Sequence, residues 1–94
     1  MTHAEHRRER VIYRGHVQGV GFRATCAGIA RMFPITGFVM NRGDGAVELE
    51  AQATAGDLER FLAAIADELA HRIHTAERTE IPPLAREGGF AIRY

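Results

Sequence analysis

The chain has 94 residues, 46% of them apolar and 26% charged, and a formal net charge of zero. That length supports one domain with a single modest core, no apolar run approaches the roughly 20 residues of a membrane span, and the neutral balance argues against a nucleic-acid binder that relies on a general electrostatic field. All twelve basic residues are arginines, which excludes lysine chemistry such as a Schiff base or a P-loop.

Residues 1–9 are charged but lack the apolar stretch of a secretory signal; they read as a flexible, solvated leader, with the domain proper over 10–94. "RVIYRGHV" (10–17) puts Val11, Tyr13 and Gly15 on one face and Ile12, Arg14 and His16 on the other, predicting a first strand. After a glycine-rich stretch, Phe22, Cys26, Ile29, Ala30 and Phe33 recur at helical spacing. They predict a helix over about 22–33, stopped by Pro34. "ITGFVMN" reads as the second strand, and Asp44-Gly45 in "RGDG" is a hairpin signal. "AVELEAQA" alternates Val47, Leu49 and Ala51 against Glu48, Glu50 and Gln52, a half-exposed third strand. Thr54, with Asp57 three positions on, opens a second helix whose apolar stripe is Leu58, Phe61, Leu62, Ile65 and Leu69. "IHTAERTEI" (73–81) is a strand whose Arg78 and Glu80 argue for a sheet edge, and Pro82-Pro83 breaks it. "GGFAIRY" closes the chain with a short strand.

The order β-α-β-β-α-β plus a C-terminal strand predicts an α+β ferredoxin-like sandwich, an antiparallel or mixed sheet with two helices on one face. The other face is expected to be partly open. Enzymes, RNA binders and regulatory modules share that scaffold, so function must come from a site. Cys26 is alone, so no internal disulfide forms and a reducing cytoplasm is the natural setting. On the helix stripe it reads as a small buried hydrophobe. His71 and His74 have no partner at metal spacing and read as surface residues; no metal or cofactor is expected.

"GHVQGVGFR", residues 15–23, falls between the first strand and the first helix. At such a junction backbone N–H groups are free and the helix dipole favours an anion. Glycines let consecutive amides converge into a concave nest. Arg23 adds a bidentate cation suited to phosphate or carboxylate, while Val17, Val20 and Phe22 anchor the loop to the core. A bare strand–helix turn with a surface arginine is the bland alternative.

The whole string resembles the acylphosphatase signature G-x-V-Q-G-V-G-F-R. The likeness continues in "GFVMNRGDGAVELEA" (37–51), where Asn41, Asp44, Gly45 and Val47 match the family's second motif, and it covers nearly all of residues 10–94. The resemblance implies hydrolysis of acyl phosphates, mixed anhydrides of a carboxylic and a phosphoric acid, to carboxylate and inorganic phosphate. It gives phosphate binding to Arg23 and the amides of Val17, Gln18, Gly19, Val20, Gly21 and Phe22, and the positioning of the attacking water to Asn41. Neither motif holds a metal-ligand set that would call for a cofactor, the charge balance and the lack of an apolar span leave no nucleic-acid or membrane partner to expect, and a small monomer is the default. Two departures stand out: Pro34 in "FPI", where the family usually has a helix-ending glycine, and Arg78, where it usually has an apolar residue.

Beside that reading, Asn41 alone would be a hairpin-entry cap. His16 is a tempting base but falls at a variable motif position and reads as an exposed loop residue. Gln18 is better suited to bracing the loop through its side-chain amide than to touching substrate, and Arg14 and Arg42 read as a solvated face, the alternative being a raised positive potential near the site. From another functional class, a non-catalytic anion- or ligand-binding or interaction module would keep the nest without turnover. An RNA-binding version would need aromatic residues on the central strands, and Tyr13, Phe38 and Phe90 are too sparse for that. A piece of a larger carbamoyl-phosphate-processing protein is a third reading; the chain limits, close to those of the domain, favour a free-standing protein.

Overall fold

The structure, a computed structural model, describes residues 5–94. Along them run β1 (His6–Gly15), α1 (Phe22–Ala30), β2 (Thr36–Asn41), β3 (Val47–Thr54), α2 (Ala55–Glu68), β4 (Ile73–Ile81) and β5 (Phe90–Arg93). One sheet takes them in the order β4-β1-β3-β2-β5. β5 lies parallel to β2, and the other neighbours pair antiparallel. This is the ferredoxin-like sandwich expected from the element order. No helix among the described residues is long and apolar enough to cross a membrane.

The core lies between one sheet face and the two helices. Val11, Tyr13, Val39 and Leu49 from the strands meet Phe22 and Cys26 of α1 and Leu58, Phe61 and Ile65 of α2, all fully or nearly fully buried. Burying each large apolar side chain contributes about 1.5–3 kcal/mol, enough for a dozen such residues to define a single fold against chain entropy. α2 starts where the sequence says: Thr54 Oγ1 accepts the Asp57 N–H and donates to Asp57 Oδ2 at 3.1 Å.

Three expectations change. β1 begins at His6, not residue 10, and Arg8 and Glu9 of the expected leader are buried; residues 1–4 of that leader lie outside the described residues. The charge run that looks solvated is paired across strands. Arg8 Nε donates to Glu50 Oε1 at 3.0 Å, and Glu9 receives Arg78 through bonds of 2.7 and 2.9 Å. β1 also ends at Gly15, two residues early; His16 is exposed and its N–H donates to Arg72 O at 2.9 Å.

Second, α1 ends at Ala30 rather than 33. Pro34 lacks an N–H and disfavours helical geometry in the residue before it. The chain leaves through tighter bonds, Met32 N–H to Ile29 O at 2.9 Å and Phe33 N–H to Ala30 O at 3.2 Å, with right-handed Arg31 at the cap and no left-handed glycine. Third, Gln52 is buried rather than half-exposed, because the 82–89 segment folds over the open sheet face. Its side-chain amide exchanges bonds of 2.9 and 2.8 Å with the Leu84 backbone.

Candidate phosphate-binding and hydrolytic site

At the junction of β1 and α1, Gly19 and Gly21 hold φ of 75° and 78°, a left-handed conformation that side chains resist. Gly21 is the N-cap of α1, with no side-chain cap and no acidic residue in the first turn. The first intrahelical bond of that turn runs from Thr25 N–H to Gly21 O at 3.0 Å. The N–H groups of Phe22, Arg23 and Ala24 therefore precede any helical acceptor and give the turn a positive end.

Val17 and Phe22 are buried, and Val20 packs against the core, so the loop is anchored at three points as its sequence suggests. Gln18 adds a fourth anchor. Its Nε2 donates to Arg42 O at 2.8 Å and to Ala46 O at 2.9 Å, tying the loop to the β2–β3 hairpin. The bracing role expected for its side chain is what the geometry gives.

Asn41 ends β2 opposite Val47 of β3, at the foot of the same hairpin. Its Oδ1 is shielded from solvent and has no hydrogen-bond partner among the described residues. An acceptor buried in this way normally finds a donor, so its isolation marks a place where a polar group can be received.

Arg23, Asn41, Val17, Gly19, Gly21 and Phe22 line one hollow of about 150 Å³. The two motifs, 18 positions apart at Arg23 and Asn41, thus meet in space. Gln18 and Val20 do not line it. Its remaining wall, which the sequence did not signal, comes from β5: Ile92 and Tyr94 line the hollow, the Arg23 guanidinium sits 4.9 Å from the Tyr94 ring centroid, and its Nη1 donates to Arg93 O at 3.4 Å. Only the parallel pairing of β5 with β2, Arg93 opposite Met40, brings that segment beside Asn41.

The nearby arginines are neutralised. Arg14 and Arg42 both pair with Asp44, at 3.4 and 3.3 Å, and Arg42 also reaches Glu48 at 3.3 Å. The Ala46 N–H and then Arg42 hold the Asp44 carboxyl below the usual carboxylate range. Arg23 has no acidic partner among the described residues and keeps its charge for a ligand. Cys26 is fully buried behind the loop, which pushes its thiol up to about 12. His71 and His74 are exposed, and no three His, Cys, Asp or Glu among the described residues converge as metal ligands.

The hollow can bind a tetrahedral anion on backbone N–H groups and one guanidinium, with an amide oxygen left to orient a small donor such as water. Comparison with known proteins points the same way. The family model Acylphosphatase matches residues 9–92. A Cupriavidus necator protein named Acylphosphatase is 46% identical over 54 residues, 57% of this chain and 59% of that relative, so the match spans less than two thirds of its length. The crystal structure of acylphosphatase from Bacillus subtilis superposes with a TM-score of 0.84 at 31% identity, covering 94% of this chain and 99% of that one. T. kodakarensis HypF contains a similar unit, with a TM-score of 0.81 and 29% identity over 94% of this chain but 12% of that one.

Proposed function

The chain belongs to the acylphosphatase family, and from that membership we propose that it hydrolyses acyl phosphates to a carboxylate and inorganic phosphate. The observation that carries the reading is the shielded, unpartnered Asn41 Oδ1 in the same hollow as Arg23 and the loop glycines.

In this mechanism the phosphoryl group lies on the loop and first-turn amides. Arg23 exchanges its long contact to Arg93 O for a forked pair of bonds to phosphate oxygens. Asn41 Oδ1 accepts a hydrogen bond from water and aims the water's lone pair at phosphorus. A new P–O bond forms to the water oxygen as the bridging P–O bond breaks, and its electron pair leaves on the carboxylate. The water's proton passes to a phosphate oxygen, so the substrate serves as its own base. Phosphoryl transfer goes through a loose transition state, so positioning and charge stabilisation supply most of the catalysis and a good leaving group needs no strong acid. The setting we infer is a reducing cytoplasm, where the lone buried Cys26 persists as a thiol, and the acting unit a monomer.

Hydrolysis of benzoyl phosphate in the presence of EDTA tests this directly. Wild type turns over, and Arg23→Ala and Asn41→Ala each lose about 10²–10³ in rate while keeping the native circular dichroism spectrum. A folded wild type that binds phosphate without turnover would instead make the domain an anion-binding module.

A further inference from the structure

Tyr94 stands just past β5 and is 99% exposed, yet it forms part of the wall of the phosphate hollow. Met32 and Leu84 are large apolar side chains that also face solvent, but neither lines that hollow. A ring left this far in water adds little to the core. Within the protein it meets the Arg23 guanidinium, 4.9 Å from its centroid.

Strand alternation sets the direction of this side chain and of its neighbour. Phe90 and Ile92 of β5 pack against the core, so Tyr94, two residues on, takes the same side of the sheet. Val39 of β2 is buried in that core, which puts Asn41 on that side as well. Arg93 stands opposite Met40 in the parallel pair, so Tyr94 and Asn41 follow as neighbours at the ends of β5 and β2. Both line the hollow, and the tyrosine is longer by a ring.

Under the reading proposed above, on which this inference rests, the water at Asn41 Oδ1, the phosphorus and the departing oxygen lie in line. The acyl group therefore points away from Asn41. The hollow holds about 150 Å³, half the lower limit of roughly 300 Å³ for a pocket that encloses a small molecule, so it takes the phosphoryl group and leaves the acyl group at the mouth. Arg23 is the one charged side chain lining it, and nothing else there favours a polar acyl chain.

We infer that Tyr94 is the specificity-determining contact for the acyl group: its side chain runs beside the line of reaction from the adjoining strand and carries the ring past the phosphorus. The site then favours acyl phosphates whose carbonyl bears a flat apolar ring, which packs offset or edge-on against Tyr94.

The test compares benzoyl phosphate with acetyl phosphate in wild type, Tyr94→Ala and Tyr94→Phe. The readout is the ratio of the two kcat/KM values, in which any change in Arg23 that affects both substrates cancels. Tyr94→Ala lowers the benzoyl-to-acetyl ratio about 3- to 10-fold, and Tyr94→Phe keeps the wild-type ratio. The exposure of Tyr94 leaves the core of both variants intact. Calorimetric binding of benzylphosphonate and methylphosphonate, which are not hydrolysed, gives the same loss of discrimination in Tyr94→Ala. A ratio unchanged in Tyr94→Ala, or lost equally in Tyr94→Phe, would overturn the inference while leaving the hydrolytic reading in place. A wild type that turns over neither substrate but prefers benzylphosphonate through Tyr94 would strike the hydrolytic reading and keep the ring contact.

Discussion

Arg8 and Glu87, 79 positions apart in the chain, are joined by two parallel hydrogen bonds of 2.8 and 3.1 Å. Arg8 is 1% exposed, and it also donates to Glu50 and Gln52, so a guanidinium expected in solvent sits fully satisfied beneath the 82–89 segment. The pair holds β1, β3 and the β4–β5 connection together on the sheet face that the helices leave uncovered. Arg8 holds the Glu87 carboxyl below its usual range, against the opposing effect of burial. With the folded pKa below the unfolded one, the stabilisation is complete above about pH 4.3 and disappears as pH falls through the folded value. Glu87→Gln is expected to lower stability by about 1–3 kcal/mol at pH 7. In urea unfolding from pH 7 to pH 3 the gap to wild type should close at the acid end; a gap that stays constant would show that the pair carries no pH-linked stability.

Gly37 fixes the β2–β3 register. Its φ is 146°, it stands opposite Ala51, and a Cβ built there would lie 1.9 Å from Glu50 O, which is backbone and cannot swing away. Gly19, at φ 75°, has nothing within 4 Å of the same position. Gly37→Ala therefore combines strain with a clash and is expected to cost about 3 kcal/mol or more, whereas Gly19→Ala costs about 1–2 kcal/mol for conformation alone. Thermal unfolding of the two variants should show Gly37→Ala melting well below Gly19→Ala. The reverse order would mean that β2 can slide to another register.

What the sequence made legible follows from the range of the interactions involved. α2, β3 and the Thr54 cap declare themselves through periodicity and partners within a few residues. The first four residues of β1, His6–Glu9, do not. Arg7, Arg8 and Glu9 resemble a solvated charge run until Glu80, Glu50, Glu87 and Arg78 arrive from across the sheet. Arg23 and Asn41 were legible because each sits in a motif whose glycines and turn residues have local causes. Ile92 and Tyr94 were not, since a strand lying parallel to β2 leaves no mark in its own residues. The end of α1 lay between these cases: Pro34 signals a stop, but the turn closes before it is reached.

Gln18 couples the two halves of the phosphate hollow, and its replacement separates positioning from folding. Leucine keeps the volume and removes the donors to Arg42 O and Ala46 O. Those two carbonyls retain their bonds from the Gly45 N–H at 3.2 Å and the Arg42 N–H at 2.8 Å, so the hairpin persists and the melting temperature should move little. The glycine loop, however, loses its tie to the strand end that carries Asn41. Under the proposed mechanism the loop amides and Asn41 must meet one phosphorus atom from two directions, and displacement of either raises KM and lowers kcat together. Gln18→Leu should reduce kcat/KM about 10-fold, and Gln18→Glu should fail to rescue it, because a carboxylate presents acceptors to two carbonyl acceptors. Benzoyl phosphate kinetics on both variants, alongside their thermal melts, decide the point. Wild-type kinetics in Gln18→Leu would mean that Val17, Val20 and Phe22 hold the loop without help from the hairpin.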